Sequence, residues 1–333
     1  AIGAVFGLFS GTTYIPIAFC FAFFSFTGIW AMYRTFVNIY PTLHKQLAVA
    51  FLFLPSTFVW GSGVFKDTIC MFGLGWLTYT TFRVFVNRDF SIRNIFMLVF
   101  SFYLLGKVKI YILLAFLPAL ALWLVLTYSH KIKYTAVRWL VSLAFIGISI
   151  GGFFFISEKF AQELGRYSLE NVAETAALTR GWISYASGEE GSAYDLGAFE
   201  PTIGGMLSKF PQAVVVTLFR PFPWEVRKVI VALSALEAVL FLSFTLYVIF
   251  RTGKNLKALF KDPNLLFFLV FSLIFAFSVG ITSYNFGALS RYKIPCLPFY
   301  AAFLIILWKY NEQNKTKNLV PYSKSETKKR AFA

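Results

Sequence analysis

Residues 229–250 read VIVALSALEAVLFLSFTLYVIF, 22 residues with a single charge at Glu237. A helix rises 1.5 Å per residue, so a run of this length and polarity suits the roughly 30 Å of hydrocarbon in a bilayer. Similar runs occur at 15–32, 47–60, 68–86, 94–105, 110–128, 140–156, 265–284 and 294–308. They are continuous instead of alternating in ten-residue dyads, which predicts helices and not the strands of an outer-membrane barrel. With 58% hydrophobic residues, only 14% charged and a mean hydropathy of +0.68, the 333-residue chain is too apolar for one soluble core. The expected fold is all-α, a polytopic transmembrane helix bundle of about 9–10 spans. Two runs are short. Residues 47–60 contain Pro55, and 94–105 hold about a dozen apolar-rich residues, so each is expected to be tilted, broken or re-entrant. The opening run, 1–10, is also too short to cross and reads as the end of a helix that starts upstream.

The long polar stretch is 157–228, between the runs that end near Ile156 and begin at Val229. Alternating the spans divides the formal charge of +16 into +15 on one face and +1 on the other, with 19 cations against four acids on the first. Lys and Arg are retained on the cytoplasmic side, so the insert is expected outside. This gives four regions: N-terminal membrane helices 1–156, an extracytoplasmic loop domain 157–228 with short helices, C-terminal membrane helices 229–308, and a basic cytoplasmic tail 309–333. The positive-inside bias accounts for the basic balance, and no nucleic-acid partner is needed to explain it.

Within the insert, Ser168 suits the cap of a helix with apolar residues Leu169, Val172, Ala173, Ala176 and Ala177 and Gly181 after its end. Two short helices are expected over 201–219, opened by Pro201 and Pro211. The second is apolar all round and too short to cross, so it should lie at the interface or dip in, leaving residues 220–225 near headgroup level.

The same outer face carries Lys66 and Asp67 at a helix start, Lys107 and Lys109 around a very short turn, Arg220 and Glu225 after the insert, and Arg291 and Lys293 before the last span. These cations oppose the positive-inside trend, and such placements are costly. One explanation is a shared phosphate or pyrophosphate, gripped by Arg bidentately and by Lys as a point charge, with Asp67 or Glu225 as base or as ligand to a divalent metal. The other is structural: the cations snorkel, pair with nearby acids, or meet lipid phosphates. Glu237, two turns inside an apolar run, requires a proton or a cationic partner.

Other chemistry finds little footing. There is no Walker loop, no dinucleotide fingerprint and no metal-ligand cluster, and Cys20, Cys70 and Cys296 show no paired spacing. His44 and His130 border spans on the cytoplasmic side. The 42 Phe residues read as lipid-facing and interhelical filler.

Three motifs together resemble a known group. LPSTFVWGSG at 54–63 followed by Lys66-Asp67, the 220–225 run followed by Ser234-Ala235-Leu236-Glu237, and Arg291-Tyr292-Lys293 before Pro295 and Pro298 are similar to bacterial proteins of cell-surface polysaccharide assembly. They resemble the GT-C superfamily of polyprenol-dependent glycosyltransferases and, more loosely, O-antigen polymerases. The resemblance implies a bacterial inner-membrane enzyme that takes a sugar or glycan from a polyprenyl phosphate at the extracytoplasmic face. Lys66, Lys107, Lys109, Arg220, Arg291 and Lys293 would bind the lipid phosphate; Asp67 and Glu225 would be catalytic. GT-C enzymes carry a catalytic acid in the first outer loop, and no residue of this sequence matches it; Asp67 and Glu225 stand in on position alone. The competing readings are a transporter or flippase of lipid-linked glycans, and a non-catalytic subunit that docks a membrane-protein partner through 158–228.

Overall fold

The structure is a computed structural model and describes residues 2–10, 13–129, 171–187, 194–227, 229–252 and 262–315. The described elements are all helices, with no strand among them. Four are long and apolar enough to cross a membrane: Tyr14–Ile39, Ile110–Tyr128, Val231–Arg251 and Pro263–Ser283. Two shorter helices, Phe286–Tyr292 and Leu297–Tyr310, pass the same test together and make a fifth candidate, a broken span or a re-entrant loop, bent by 67° at residues 293–296. Pro295 lies in that bend and lacks the amide that a continuous helix requires.

The Pro263–Ser283 helix is central. Of its apolar window 61% is buried, against 28% for Tyr14–Ile39 at the periphery. Its inward rings lock against neighbours: Phe271 and Phe268 meet Phe299 and Phe36 at centroid distances of 4.6 and 4.5 Å. Outward rings such as Phe19 and Phe23 are exposed, as a lipid-facing surface requires. At one end of this helix Asp262 caps the Asn264 amide at 2.9 Å and accepts hydrogen bonds from the Tyr40 and Tyr310 hydroxyls at 2.6 and 3.0 Å. At the other end Tyr284 terminates it with φ 42°, and Tyr194 donates to the Gly280 carbonyl at 2.9 Å.

The run expected at 68–86 forms Lys66–Phe85, 20 residues or about 30 Å. It falls below the four apolar helices in hydropathy because neighbours enclose it. Thr78 and Thr80 return their hydroxyls to the Leu74 and Trp76 carbonyls, each at 2.7 Å, so they add polarity without unmet hydrogen bonds. It crosses Tyr14–Ile39 backbone to backbone: a Cβ on Gly75 would lie 1.9 Å from the Gly28 carbonyl oxygen. The run expected at 94–105 is the 17-residue helix Ile92–Val108.

Residues 47–60 are broken, as Pro55 suggested. His44–Leu52 ends and Pro55–Trp60 starts afresh, with Pro55 in the first turn where its missing amide costs nothing. The expected span 140–156, and with it Ser168, Leu169 and His130, lies outside the described residues.

In the insert, Val172–Ser187 buries Ala173 and Ala176 and packs on the central helix. It continues through Gly181 instead of stopping there, since a glycine ends a helix only where the chain turns left-handed. The first short helix is Ile203–Ser208, capped by Thr202, whose hydroxyl accepts from the Gly205 amide at 3.0 Å; Pro201 lies outside it. The second, Phe210–Phe219, has Pro211 in its first turn as expected. It packs into the bundle, where Thr217 donates to the Ala276 carbonyl at 2.8 Å. Ala276 is seven residues before Ser283, so this helix reaches about 10 Å down from the end of the central helix.

Candidate functional site

Asp67 lies in the first turn of the Lys66–Phe85 helix, where the unpaired amides favour a carboxylate. It is 1% exposed and faces two cations from distant parts of the chain. Lys109, the single residue between Ile92–Val108 and Ile110–Ser129, forms an ion pair and hydrogen bond with Asp67 Oδ1. Arg291, in the last turn of Phe286–Tyr292, places Nε 3.1 Å from Asp67 Oδ2. That contact is close but misaligned, and both Arg291 Nε and Asp67 Oδ2 are left without a hydrogen bond.

Tyr292 connects the two cations. Its hydroxyl accepts from Arg291 Nη2 at 3.1 Å, and the Lys109 ammonium sits 4.2 Å from its ring centroid. The Arg291 guanidinium also stands 5.5 Å from the Phe65 ring. The Lys109 side chain is 9% exposed and that of Arg291 33%, so Arg291 is the partner open to solvent or ligand.

A second pair lies beside the bend. The Arg220 guanidinium donates to Glu225 through two of its nitrogens, Nε to Oε2 at 3.0 Å and Nη2 to Oε1, while the Phe222 amide donates to Oε2 at 2.8 Å. Burial pushes the Glu225 carboxyl up, but the Arg220 and Phe222 hydrogen bonds and the guanidinium charge outweigh it and hold the group below its ordinary range. Arg220 also packs over the Phe286 ring at 5.1 Å.

Lys293 links this pair to the interior. It is fully buried, and Nζ donates to the Arg220 carbonyl at 3.3 Å. Glu237, 3% exposed, is also buried here and forms no ion pair with Lys293. The break before Pro55 leaves the Ser56 amide free to donate to Glu237 Oε2 at 2.7 Å; Oε1 has no hydrogen-bond partner.

Sequence reasoning named all seven of these charged residues, and the fold brings six of them, Asp67, Lys109, Arg220, Glu225, Arg291 and Lys293, to one end of the bundle, with Glu237 beneath. Lys66 and Lys107 are exposed at that end, and Lys107 stands 6.0 Å from the Tyr103 ring. Of the two explanations for these cations, pairing with nearby acids is seen for three of them. Lys109 and Arg291 share Asp67, and Arg220 takes Glu225, because each carboxylate reaches a cation before an external anion is needed. Ser56, Phe65 and Tyr292 were missed. Only Tyr292, between two cations in Arg291-Tyr292-Lys293, carried a local signal.

His44 contacts the Pro41 carbonyl at 3.0 Å, at a helix boundary away from this cluster. Among the described residues no group of three or more His, Cys, Asp or Glu side chains is arranged to hold a metal ion. No family model, curated protein or solved structure matches the chain.

Proposed function

We propose that this protein is a bacterial inner-membrane glycosyltransferase or polymerase of cell-surface polysaccharide assembly, acting on polyprenyl-phosphate-linked sugars at the extracytoplasmic face. The observation that carries the proposal is the meeting of Lys109 and Arg291, 182 positions apart, on one buried carboxylate at the end of an apolar bundle. A site beside lipid, with a guanidinium open at its rim and exposed Lys66 and Lys107 nearby, suits a phosphate whose hydrocarbon stays in the membrane. In this reading the charged end is extracytoplasmic, the pole with Tyr40 and Asp262 is cytoplasmic, and the positive-inside count supports both.

The phosphate is the leaving group. Arg291 binds it bidentately, Lys66 and Lys107 draw it in from the rim, and Asp67 receives the proton of the acceptor hydroxyl. Replacing Arg291 by Ala removes glycan transfer in cells while the protein remains folded and abundant; normal transfer by the variant defeats the assignment.

One observation favours a second reading, transport of a lipid-linked glycan. Both candidate bases, Asp67 and Glu225, are engaged by cations, and a transporter needs no base. A transporter retains substrate movement in Asp67→Asn, whereas a transferase loses turnover.

A further inference from the structure

Asp67 serves as a base only if an oxygen is free, yet two cations face it. They are not equivalent. Lys109 is nearly buried, hydrogen-bonds to Oδ1 and is packed over Tyr292. Arg291 is one-third exposed and near Oδ2, but donates no hydrogen bond to it. Among the described residues its aligned donor contact is with the neighbouring Tyr292 hydroxyl.

We propose that Asp67 and the phosphate of the lipid-linked substrate compete for Arg291, so that Asp67 becomes a base only while that phosphate is bound. The inference rests on the proposed function and adds a substrate-triggered switch to it. A phosphate presents more acceptor oxygens than a carboxylate and matches the planar guanidinium fork, so it gives Arg291 the aligned bonds that Asp67 does not. Movement of the guanidinium alone then uncovers Oδ2. Lys109 stays on Oδ1 and fixes the carboxylate in place.

The acceptor O–H proton passes to Asp67 Oδ2 as the acceptor oxygen bonds to the sugar's anomeric carbon. The bond from that carbon to the carrier phosphate oxygen breaks, and its electron pair leaves with the polyprenyl phosphate, whose charge Arg291 holds. Without a phosphate bound, Oδ2 stays against Arg291 and no base is presented to water.

The test is a double-mutant cycle on the full chain in lipid nanodiscs, with farnesyl phosphate as probe and farnesol as its uncharged control. Asp67→Asn should bind farnesyl phosphate about tenfold tighter than the parent, within the usual range of coupling between two ligands of one group. Arg291→Gln should bind it more weakly, and in the double variant the gain from Asp67→Asn should vanish. No gain in Asp67→Asn, or an equal gain without Arg291, overturns the switch and leaves the phosphate site standing. Equal affinity in parent and Arg291→Gln overturns the phosphate site itself. If Asp67→Asn fails to fold, the parent protein decides: farnesyl phosphate, and not farnesol, should increase labelling of Asp67 by a lipid-soluble carbodiimide. Unchanged labelling overturns the switch.

Discussion

Replacing Gly75 by Ala tests the placement of the helix that carries Asp67. The new methyl would lie 1.9 Å from the Gly28 carbonyl oxygen, whereas such contacts essentially never fall below 3.0 Å. The neighbour here is backbone, so no rotamer relieves the clash. The Tyr14–Ile39 and Lys66–Phe85 helices must separate by at least 1.1 Å, the difference between those distances. Such a separation loosens the packing along their crossing, including the stacked Phe24 and Phe72 rings at 3.6 Å. Overpacking of this kind costs about 1–3 kcal/mol, and we expect about 2. Gly3→Ala is the control, because nothing lies within 4 Å of its added Cβ and alanine favours a helix by roughly 1 kcal/mol over glycine. The assay is reversible unfolding in mixed micelles by titration with a denaturing detergent. Gly75→Ala with parental stability, or a loss equal in both variants, would refute the backbone-to-backbone crossing.

Lys293→Met should destabilise the fold by about 1–3 kcal/mol in the same assay, since it removes the fully buried donor to the Arg220 carbonyl; parental stability would refute that role. Asp262→Ala should cost about 2 kcal/mol, because it removes a cap and leaves the Tyr40 and Tyr310 hydroxyls without their acceptor. Glu225 gives a pH dependence of definite sign. Its folded-state pKa is depressed below the ordinary 4.5, so its stabilisation is fully present above that value and is lost as pH falls through the folded pKa. Thermal unfolding from pH 7 to pH 3 should show this acid-side loss diminished in Glu225→Gln.

Local chemistry made several features readable in advance. Pro55 marks a break because proline lacks the amide, and Lys107 and Lys109 mark a tight turn because only residues 106–109 separate two apolar runs. The grouping of Arg291 and Lys293 with Lys109 and Arg220 at one end of the bundle followed from counting crossings. The pairings within the cluster were not readable. Asp67 meets Arg291 across 224 positions and Glu237 meets the Ser56 amide across 181, and no periodicity or propensity encodes which carboxylate a given cation reaches. Hydropathy likewise does not register that Lys66–Phe85 is enclosed, because its threonines satisfy themselves on their own helix and its glycines act through a partner's backbone. Gly181 misled for a related reason: a helix passes through glycine when nothing turns the chain there.

The central claim is that the charged end of this bundle recognises a lipid-borne phosphate through Arg291. Native mass spectrometry of the purified protein, offered equal amounts of a polyprenyl phosphate and the matching polyprenol, tests it most directly. The account predicts retention of the phosphate form by the parent protein and loss of that preference in Arg291→Gln. Equal retention of the two lipids by the parent, or an unchanged preference in the variant, would contradict it.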